Sequence, residues 1–130
     1  MVRAAVAVIK NDDLFLCIKR AEGISASGKI CFPGGSIETG ESESDALVRE
    51  LKEELGVAAR PIKKVWQSET PWGVEVHWYL AELLSDRFVL DPSEVVWCKW
   101  ISELELLGES ELLISNAHFF EAMHRGEVRL

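Results

Sequence analysis

The segment GGSIETGESESDALVRELKEELGV, Gly34–Val57, carries the most informative pattern of this chain. Its last part, RELKEELG, has the composition of a helix, yet Glu50, Glu53 and Glu54 follow at spacings of three and four residues. Side chains at these spacings are neighbours on a helix, and like charges there cost about 0.2–0.5 kcal/mol per pair. The crowding of three carboxylates therefore needs a reason beyond helix formation.

The same segment predicts how this helix packs. The pattern favours a helix from about Ser42 to Leu55, ended by Gly56 at the position of a C-cap. At about 100° per residue with Glu50 at 0°, the apolar side chains fall between about 60° and 160°, and the three glutamates between about −60° and 40°. The apolar face would pack on a sheet, and the carboxylates would project along the edge of the core, where a cleft can form. The apolar residues are Leu47, Val48, Leu51 and Leu55.

The negative charge of the chain is concentrated in this region. The 130 residues include 22 acidic and 14 basic side chains, for a net charge of −8. Between Glu38 and Gly56, seven acidic residues face only Arg49 and Lys52, which leaves −5 in this window alone. A net negative charge argues against binding of long nucleic acid or of an anionic membrane. It allows a small anionic ligand if metal ions supply positive charge.

The length and composition favour one domain over residues 1–130, because no repeat, low-complexity tract or linker interrupts the chain. The cysteines Cys17, Cys31 and Cys98 are odd in number and far apart, which predicts reduced, buried thiols and a cytoplasmic location. No signal peptide is visible. The apolar opening AAVAVI is much shorter than the ~20 residues of a membrane span, so we expect no membrane anchor.

Alternation of apolar residues predicts the remaining elements. Val2–Ile9 and Leu14–Ile18 are apolar on both faces and flank the turn residues Asn11–Asp13, which predicts a hairpin in a sheet covered on both sides. Small, polar or Gly- and Pro-rich composition predicts loops at Glu22–Lys29 and Phe32–Ser42. The other predicted elements are strands at Pro61–Glu69, Val74–Leu83 and Val95–Trp100, a turn at Pro71–Gly73, and helices capped by Ser102 and over Leu112–Met123.

The spacing within the quoted segment resembles a known signature. From Gly35, five residues lead to Glu41, and seven more lead to RELKEELGV, Arg49–Val57. This resembles the Nudix signature, G-x5-E-x7-R-E-U-x-E-E-x-G-U with U apolar, and it agrees at every defined position. The preceding Phe32-Pro33-Gly34 and the order of the strands also fit the family. The resemblance implies the α/β class and a Nudix fold, an α/β/α sandwich with a mixed β-sheet.

The resemblance also implies an activity, namely metal-dependent hydrolysis of a phosphoanhydride (pyrophosphate) bond in a nucleoside diphosphate-linked substrate. The favoured reaction converts a nucleoside triphosphate to the monophosphate and pyrophosphate, as in MutT-like members. Clustered carboxylates agree with this reaction, because they bind Mg²⁺ or Mn²⁺, which neutralise phosphate charge. The alternatives are a non-catalytic nucleotide-binding Nudix domain and a hydrolase of a dinucleoside polyphosphate, a nucleotide sugar or the 5′ end of RNA. A monomer and a homodimer both remain open.

Residue roles are carried over from the family position by position. Glu50, Glu53 and Glu54 correspond to the metal ligands, with Glu50 or Glu53 as the base for the attacking water. The backbone carbonyl of Gly34 corresponds to a further ligand.

A second group of roles concerns orientation and close approach. Arg49 corresponds to an arginine that pairs with the glutamate at the position of Glu41 and orients the other carboxylates. Gly35, like Gly34, permits close approach of the backbone, and it is a candidate for substrate binding.

Four further positions outside the signature are candidates. Arg20 lies where MutT-like members place an arginine that contacts the phosphates, although a plain surface arginine fits the sequence equally well. Lys29 resembles the residue that opens the K-L-E-F-P-G-G approach of MutT-like proteins and is a candidate for substrate binding. Asn116 corresponds to an asparagine that reads a purine edge, or else it opens the final helix. Glu94 either adds a carboxylate to the site or is an exposed turn residue, and the turn is the favoured interpretation.

The aromatic residues and histidines give weaker indications. Trp78 alternates with apolar residues and is predicted to lie in the core, Trp72 is predicted to be exposed in a turn, and Trp100 is a candidate for lining a base pocket. The histidines His77, His118 and His124 show no metal-ligand spacing and receive no role.

Overall fold

The computed structural model describes residues 2–130. Its strands are β1 Val2–Val8, β2 Lys10–Asn11, β3 Leu14–Arg20, β4 Ile30–Cys31, β5 Gly34–Ser36, β6 Ala59–Glu69, β7 Val74–Leu83 and β8 Val95–Ser102. Its helices are α1 Glu43–Leu55, α2 Glu103–Leu107 and α3 Ile114–His124. No helix within residues 2–130 has both the length and the apolar character needed to cross a membrane.

The strands of residues 2–130 form two four-stranded sheets. The first has the order β5-β1-β7-β6 and is mixed, because β1 runs parallel to β7 and antiparallel to β5. The second is antiparallel, and β3 pairs in it with β2, β4 and β8. The mixed sheet confirms the predicted α/β class, and the antiparallel sheet beside it was not foreseen.

Helices cover both faces of these sheets. Leu47, Leu51 and Leu55 of α1 pack on one face together with Ala5 and Ala7 of β1. On the opposite face Phe119 and Phe120 of α3 pack with Val8 and Trp78. Alternate residues of β1 therefore contribute to two separate cores, which explains why this strand is apolar on both faces. The arrangement confirms the predicted α/β/α sandwich.

The predicted hairpin between Val2–Ile9 and Leu14–Ile18 forms only close to its turn, as far as Ile9, whose carbonyl accepts from the N–H of Leu16 at 3.0 Å, and the prediction is wrong for the rest of β1. The turn at Asp12, with φ 55°, joins only the short β2 to β3, while β1 pairs with β5 and β7 in the other sheet. The chain passes from one sheet to the other near Ile9, so the turn residues specify only the two strand ends beside them. The predicted loop Phe32–Ser42 likewise contains the short edge strand β5.

The helix of the signature is confirmed with both of its ends. Ser42 caps α1 by accepting a hydrogen bond from the N–H of Asp45 at 3.0 Å. Gly56 ends the helix with φ 67°, and a Cβ there would lie 2.9 Å from Val89, so only glycine fits. The final helix begins at Ile114, two residues later than predicted.

Candidate functional site

Arg49 holds the acidic residues of the signature together. Its Nε and Nη2 donate to the two carboxylate oxygens of Glu41 at 2.7 and 2.9 Å. Its Nη1 donates to Glu50 at 3.0 Å and to Glu53 at 3.2 Å, and Nη2 also donates to the carbonyl of Ser36 at 2.9 Å. The hydrogen bonds from Arg49 lower the pKa of Glu41 to about 2 and raise the pKa of Arg49 itself. The guanidinium is thus a fixed cation among the glutamates.

The second group of contacts surrounds Glu54, which is 2% exposed. Its Oε1 accepts a hydrogen bond from the N–H of Gly34 at 3.1 Å. Burial, followed by the negative charges of Glu50 and Glu94, raises the pKa of Glu54 to about 8. Burial also raises the pKa of Glu50, against the hydrogen bond and charge of Arg49. Two carboxylates of one helix therefore lie where ionisation is disfavoured.

Glu94 belongs to this group of carboxylates. It lies in the turn before β8, as predicted, but it is half-buried rather than exposed. Its charge raises the pKa of both Glu50 and Glu54, so it faces the site. The favoured interpretation of Glu94 as an exposed turn residue is wrong, because the chain packs this turn against the end of α1, where the N–H of Asp91 donates to the carbonyl of Glu54.

The two glycines of β5 bring the backbone against these carboxylates. A Cβ on Gly35 would lie 2.4 Å from Cδ of Glu50. A Cβ on Gly34 would lie 2.2 Å from the carbonyl oxygen of Ala5 in the neighbouring strand. Any side chain at either position would displace its neighbour, so the sequence Gly34-Gly35 is required for this approach.

A cavity of about 880 Å³ lies on the other side of β5. Its walls come from β1, from the loop before β4, from the β6–β7 turn and from the start of α3. The residues that were predicted to bind substrate all line it, namely Arg20, Lys29, Gly35 and Asn116, and Gly34 lines it too. The fold thus brings together candidates that are as many as 96 positions apart in the sequence, from Arg20 to Asn116.

Asn116 is a buried polar residue in the wall of this cavity. Its side-chain Nδ2 has no hydrogen-bond partner among the described residues, and its backbone N–H donates to the carbonyl of Leu113. A buried donor without a partner costs about 1–3 kcal/mol. Asn116 therefore presents an amide to the cavity that a ligand can pair with. Trp72, 56% exposed, lies at the rim in the β6–β7 turn, as predicted.

Arg20 links the cavity with the carboxylates. Its Nε and Nη2 donate to the carbonyl and hydroxyl of Ser25 at 2.7 and 3.2 Å. Its positive charge also lowers the pKa of Glu54, so the guanidinium lies near that carboxylate. Lys29, another cation of the cavity wall, pairs with Glu111 at 3.3 Å. Arg20 is therefore not an isolated surface residue, because it is bound to Ser25 and its charge acts on Glu54.

The carboxylates of Glu50, Glu53 and Glu54 do not converge on a common metal position. Within residues 2–130, no three His, Cys, Asp or Glu side chains lie together as a ready-made metal site. Glu53 instead turns towards Arg49, and its side chain is 58% exposed. An exposed ion pair of this kind is worth about 0–1 kcal/mol, so rotation of Glu53 away from Arg49 costs little.

The remaining predictions have mixed outcomes. Trp78 is fully buried, as predicted, whereas Trp100 packs against the core on the α1 side and does not line the described cavity. Cys17 and Cys31 are buried free thiols, as predicted, whereas Cys98 is free but only partly buried. Sequence reasoning missed His77, which is buried in a polar cluster. Its partners Lys64, Glu75 and Glu43 come from two strands and one helix, so no local spacing in the sequence indicates the cluster.

Comparison with known proteins gives one consistent result. The family model described as the NUDIX domain matches residues 1–123. The chain is 36% identical over 103 residues to the 8-oxo-dGTP diphosphatase of Haemophilus influenzae, with 75% of each chain covered. It is 29% identical over 102 residues to the CTP pyrophosphohydrolase of Escherichia coli, with 75% of this chain and 76% of that protein covered. The crystal structure of the MutT protein from Methanosarcina mazei Go1 superposes with a TM-score of 0.82 at 25% identity, over 98% of this chain and 96% of that one.

Proposed function

The chain belongs to the NUDIX domain family of hydrolases, and from this premise we propose that it converts a nucleoside triphosphate to the monophosphate and pyrophosphate, with Mg²⁺ or Mn²⁺. One observation carries the proposal. The cavity of about 880 Å³, large enough for a nucleotide, shares the wall Gly34–Gly35 with the carboxylates of α1. Base and phosphates can therefore lie in the cavity while a phosphoanhydride reaches the carboxylates.

The donor set fits a hard divalent cation. Oxygen ligands are available from Glu50, Glu53 and Glu54, with the carbonyl of Gly34 and the carboxylate of Glu94 as additions. Burial, and after it the negative charge of Glu50, raises the pKa of Glu54, so a cation bound beside this carboxyl group would favour its ionised form. When bound, a divalent cation supplies the Lewis acid that polarises the phosphate and neutralises its charge.

The chain's own groups then have separate roles in the proposed reaction. Glu50 accepts the proton of the attacking water, because its raised pKa makes it a stronger base than an ordinary carboxylate. Arg49, bound bidentately by Glu41, keeps Glu50 oriented. Arg20 and Lys29, which line the cavity, hold the phosphates that the carboxylates repel.

Base recognition is assigned to the far part of the cavity. Asn116 presents an unpartnered amide, and asparagine pairs bidentately with a purine edge through one donor and one acceptor. Trp72 offers an exposed indole at the rim for stacking. Asn116 favours a purine nucleotide over a pyrimidine nucleotide, whereas stacking on Trp72 suits either class of base.

The test is a panel of purine and pyrimidine nucleoside triphosphates, together with dinucleoside polyphosphates and nucleotide sugars, incubated with Mg²⁺. We expect release of pyrophosphate from triphosphates, loss of activity in chelator, and faster turnover on the alkaline side, where the base is ionised. Turnover confined to another nucleotide derivative would replace the proposed substrate. Binding without turnover of any compound would support a non-catalytic nucleotide-binding domain instead.

Base choice is tested by substituting Asn116. Asn116→Ala should raise KM for purine nucleotides and leave pyrimidine nucleotides nearly unchanged. Asn11→Ala, an exposed asparagine of β2, is the matched control and should change neither. Equal losses on both classes of nucleotide would restrict Asn116 to a role in the fold.

A further inference from the structure

A second polar cluster lies beneath the first turn of α1, on the sheet face that this helix covers. Glu43, the first residue of α1, accepts a hydrogen bond from the hydroxyl of Tyr79 at 2.7 Å. Its other oxygen accepts from Nη2 of Arg3 at 3.0 Å, and Nζ of Lys64 lies 3.1 Å from Oε1. Three residues from three strands thus hold one carboxylate of the helix.

His77 completes this cluster from below. Its Nδ1 lies 2.7 Å from Nζ of Lys64, and its Nε2 lies 2.7 Å from Oε1 of Glu75. Nδ1 also lies 3.3 Å from Oε1 of Glu43, so both ring nitrogens of His77 have polar partners in the cluster. The cations Arg3 and Lys64 then balance the carboxylates Glu43 and Glu75, and the buried imidazole is fully hydrogen-bonded.

Glu43 is not needed to begin the helix. Ser42 already caps α1, and Asp45 already supplies an acidic side chain in the first turn. Partial burial opposes ionisation of Glu43, but the hydrogen bonds from Tyr79 and Lys64 outweigh it and lower its pKa. The same contact raises the pKa of Tyr79 to about 12, after burial as the larger cause. The cluster therefore anchors the helix laterally to the sheet.

The cluster around Glu43 holds the segment 37–43, which contains Glu41, the bidentate partner of Arg49. The carbonyl of Arg3 accepts the N–H of Ile37 at 2.8 Å, while its guanidinium binds Glu43, so Arg3 holds both ends of the segment 37–43. Between these ends Glu41 accepts from the N–H of Glu38 at 3.0 Å and binds Arg49 with both oxygens. A shift at Glu43 would pass to Glu41 two residues away and from there to Arg49.

We propose that Glu43 is a positioning residue, held by Arg3, Lys64 and Tyr79, that keeps Glu41 and Arg49 in the geometry in which the glutamates of α1 bind the divalent cation. The inference rests on the proposed metal-dependent function and adds the sheet-side support of its site. Supporting partners of metal ligands typically contribute about 10–100-fold in metal affinity or activity. We expect losses in this range when the anchor is removed.

The experiment compares Glu43→Gln and Tyr79→Phe with Glu103→Gln. Glu103 is the matched control, because it also begins a helix and also pairs with a histidine, His124, but has no contact with the residues of the signature among those described. For each protein we would measure Mn²⁺ binding by calorimetry without nucleotide, kcat and KM with a nucleoside triphosphate, and the melting temperature.

We expect Glu43→Gln to weaken Mn²⁺ binding and lower kcat by about tenfold or more, with KM for the nucleotide within about twofold of wild type. Tyr79→Phe should give smaller losses of the same kind, because Arg3 and Lys64 still hold Glu43. Glu103→Gln should change neither quantity. If both Glu43 and Tyr79 variants lower only the melting temperature and bind Mn²⁺ like wild type, the cluster is structural and the inference fails.

The two proposals fail in distinguishable ways. If the wild-type protein binds Mn²⁺ but hydrolyses no nucleotide, the proposed function fails, while the calorimetry still tests Glu43. If the wild-type protein hydrolyses nucleotides and the Glu43 and Tyr79 variants match Glu103→Gln in kcat and Mn²⁺ affinity, only the positioning role is overturned.

Discussion

Replacing Glu54 by glutamine should stabilise the metal-free protein at alkaline pH. Burial and the charge of Glu50 raise the pKa of Glu54 from its ordinary 4.5 to about 8. A group whose pKa is higher in the folded state binds a proton on folding between these two values. The contribution of Glu54 to the free energy of unfolding therefore falls as pH rises from about 4.5 to about 8, and it levels off above that.

The size of the effect follows from the same pKa. At 1.36 kcal/mol for each tenfold change in acid dissociation, the ionised Glu54 costs at most about 5 kcal/mol at pH 9. Relaxation and entry of water reduce such penalties, so we expect Glu54→Gln to gain about 2–4 kcal/mol there. Glutamine keeps an acceptor for the N–H of Gly34 and offers its amide to Glu50. At pH 5 Glu54 is already neutral, and the two proteins should agree within about 0.5 kcal/mol.

The assay is urea unfolding in chelator at pH 5, 7 and 9, repeated with saturating Mg²⁺. Glu53→Gln is the matched control, because Glu53 is 58% exposed and pairs with Arg49, so its effect should be small at every pH. With Mg²⁺ the wild type should gain stability by ligand linkage and Glu54→Gln should gain less. A variant that is no more stable than wild type at pH 9, or that gains as much at pH 5, would refute the reasoning.

Three other substitutions test separate parts of the site. Arg49→Gln should lower the urea midpoint of unfolding in chelator, because it leaves Glu41 and Glu50 without their cation; an unchanged midpoint would contradict this role of Arg49. Gly35→Ala should lower kcat at least tenfold with a small change in melting temperature, since its Cβ would displace Glu50, and normal kinetics would exclude that displacement. Trp72→Ala should raise KM without lowering kcat, because it removes a stacking interaction that contributes about 1–3 kcal/mol to binding of the base. An unchanged KM would show that Trp72 does not take part in recognition.

The sequence predicts the burial of the three signature glutamates in the right order. On the helical wheel Glu54 lies nearest to the apolar face, Glu50 lies further away, and Glu53 lies furthest. Their exposures follow this order, at 2% for Glu54 and, for the side chains, 12% for Glu50 and 58% for Glu53. Periodicity within one helix therefore predicts which carboxylate has to pay the cost of burial, because the angle to the core is a local property.

Contacts between distant segments could not be predicted in this way. The pairing of β1 with β7 depends on a partner more than 70 residues later in the chain, and the turn at Asp12 offered a nearer alternative. Glu94 likewise reaches Glu54 only because the turn before β8 packs against the end of α1. The alternation of apolar residues along a strand indicates which side chains face a core, but it does not indicate which of several apolar strands is the pairing partner.

Among the buried polar residues, Asn116 and Glu54 each carry a free-energy cost that the folded chain does not offset. His77 and Thr70 are buried and hydrogen-bonded. Asn116 keeps an amide without a partner in the cavity, and Glu54 keeps a carboxyl group whose ionisation its surroundings oppose. Gly34 lines the cavity that contains Asn116, and its N–H donates to Glu54, so one residue of β5 borders both sites. Proteins tolerate such costs mainly where function requires them, and here a nucleotide base would satisfy Asn116 while a divalent cation would allow Glu54 to ionise. The proposed substrate and metal thus relieve the two separate costs that the folded chain carries on its own.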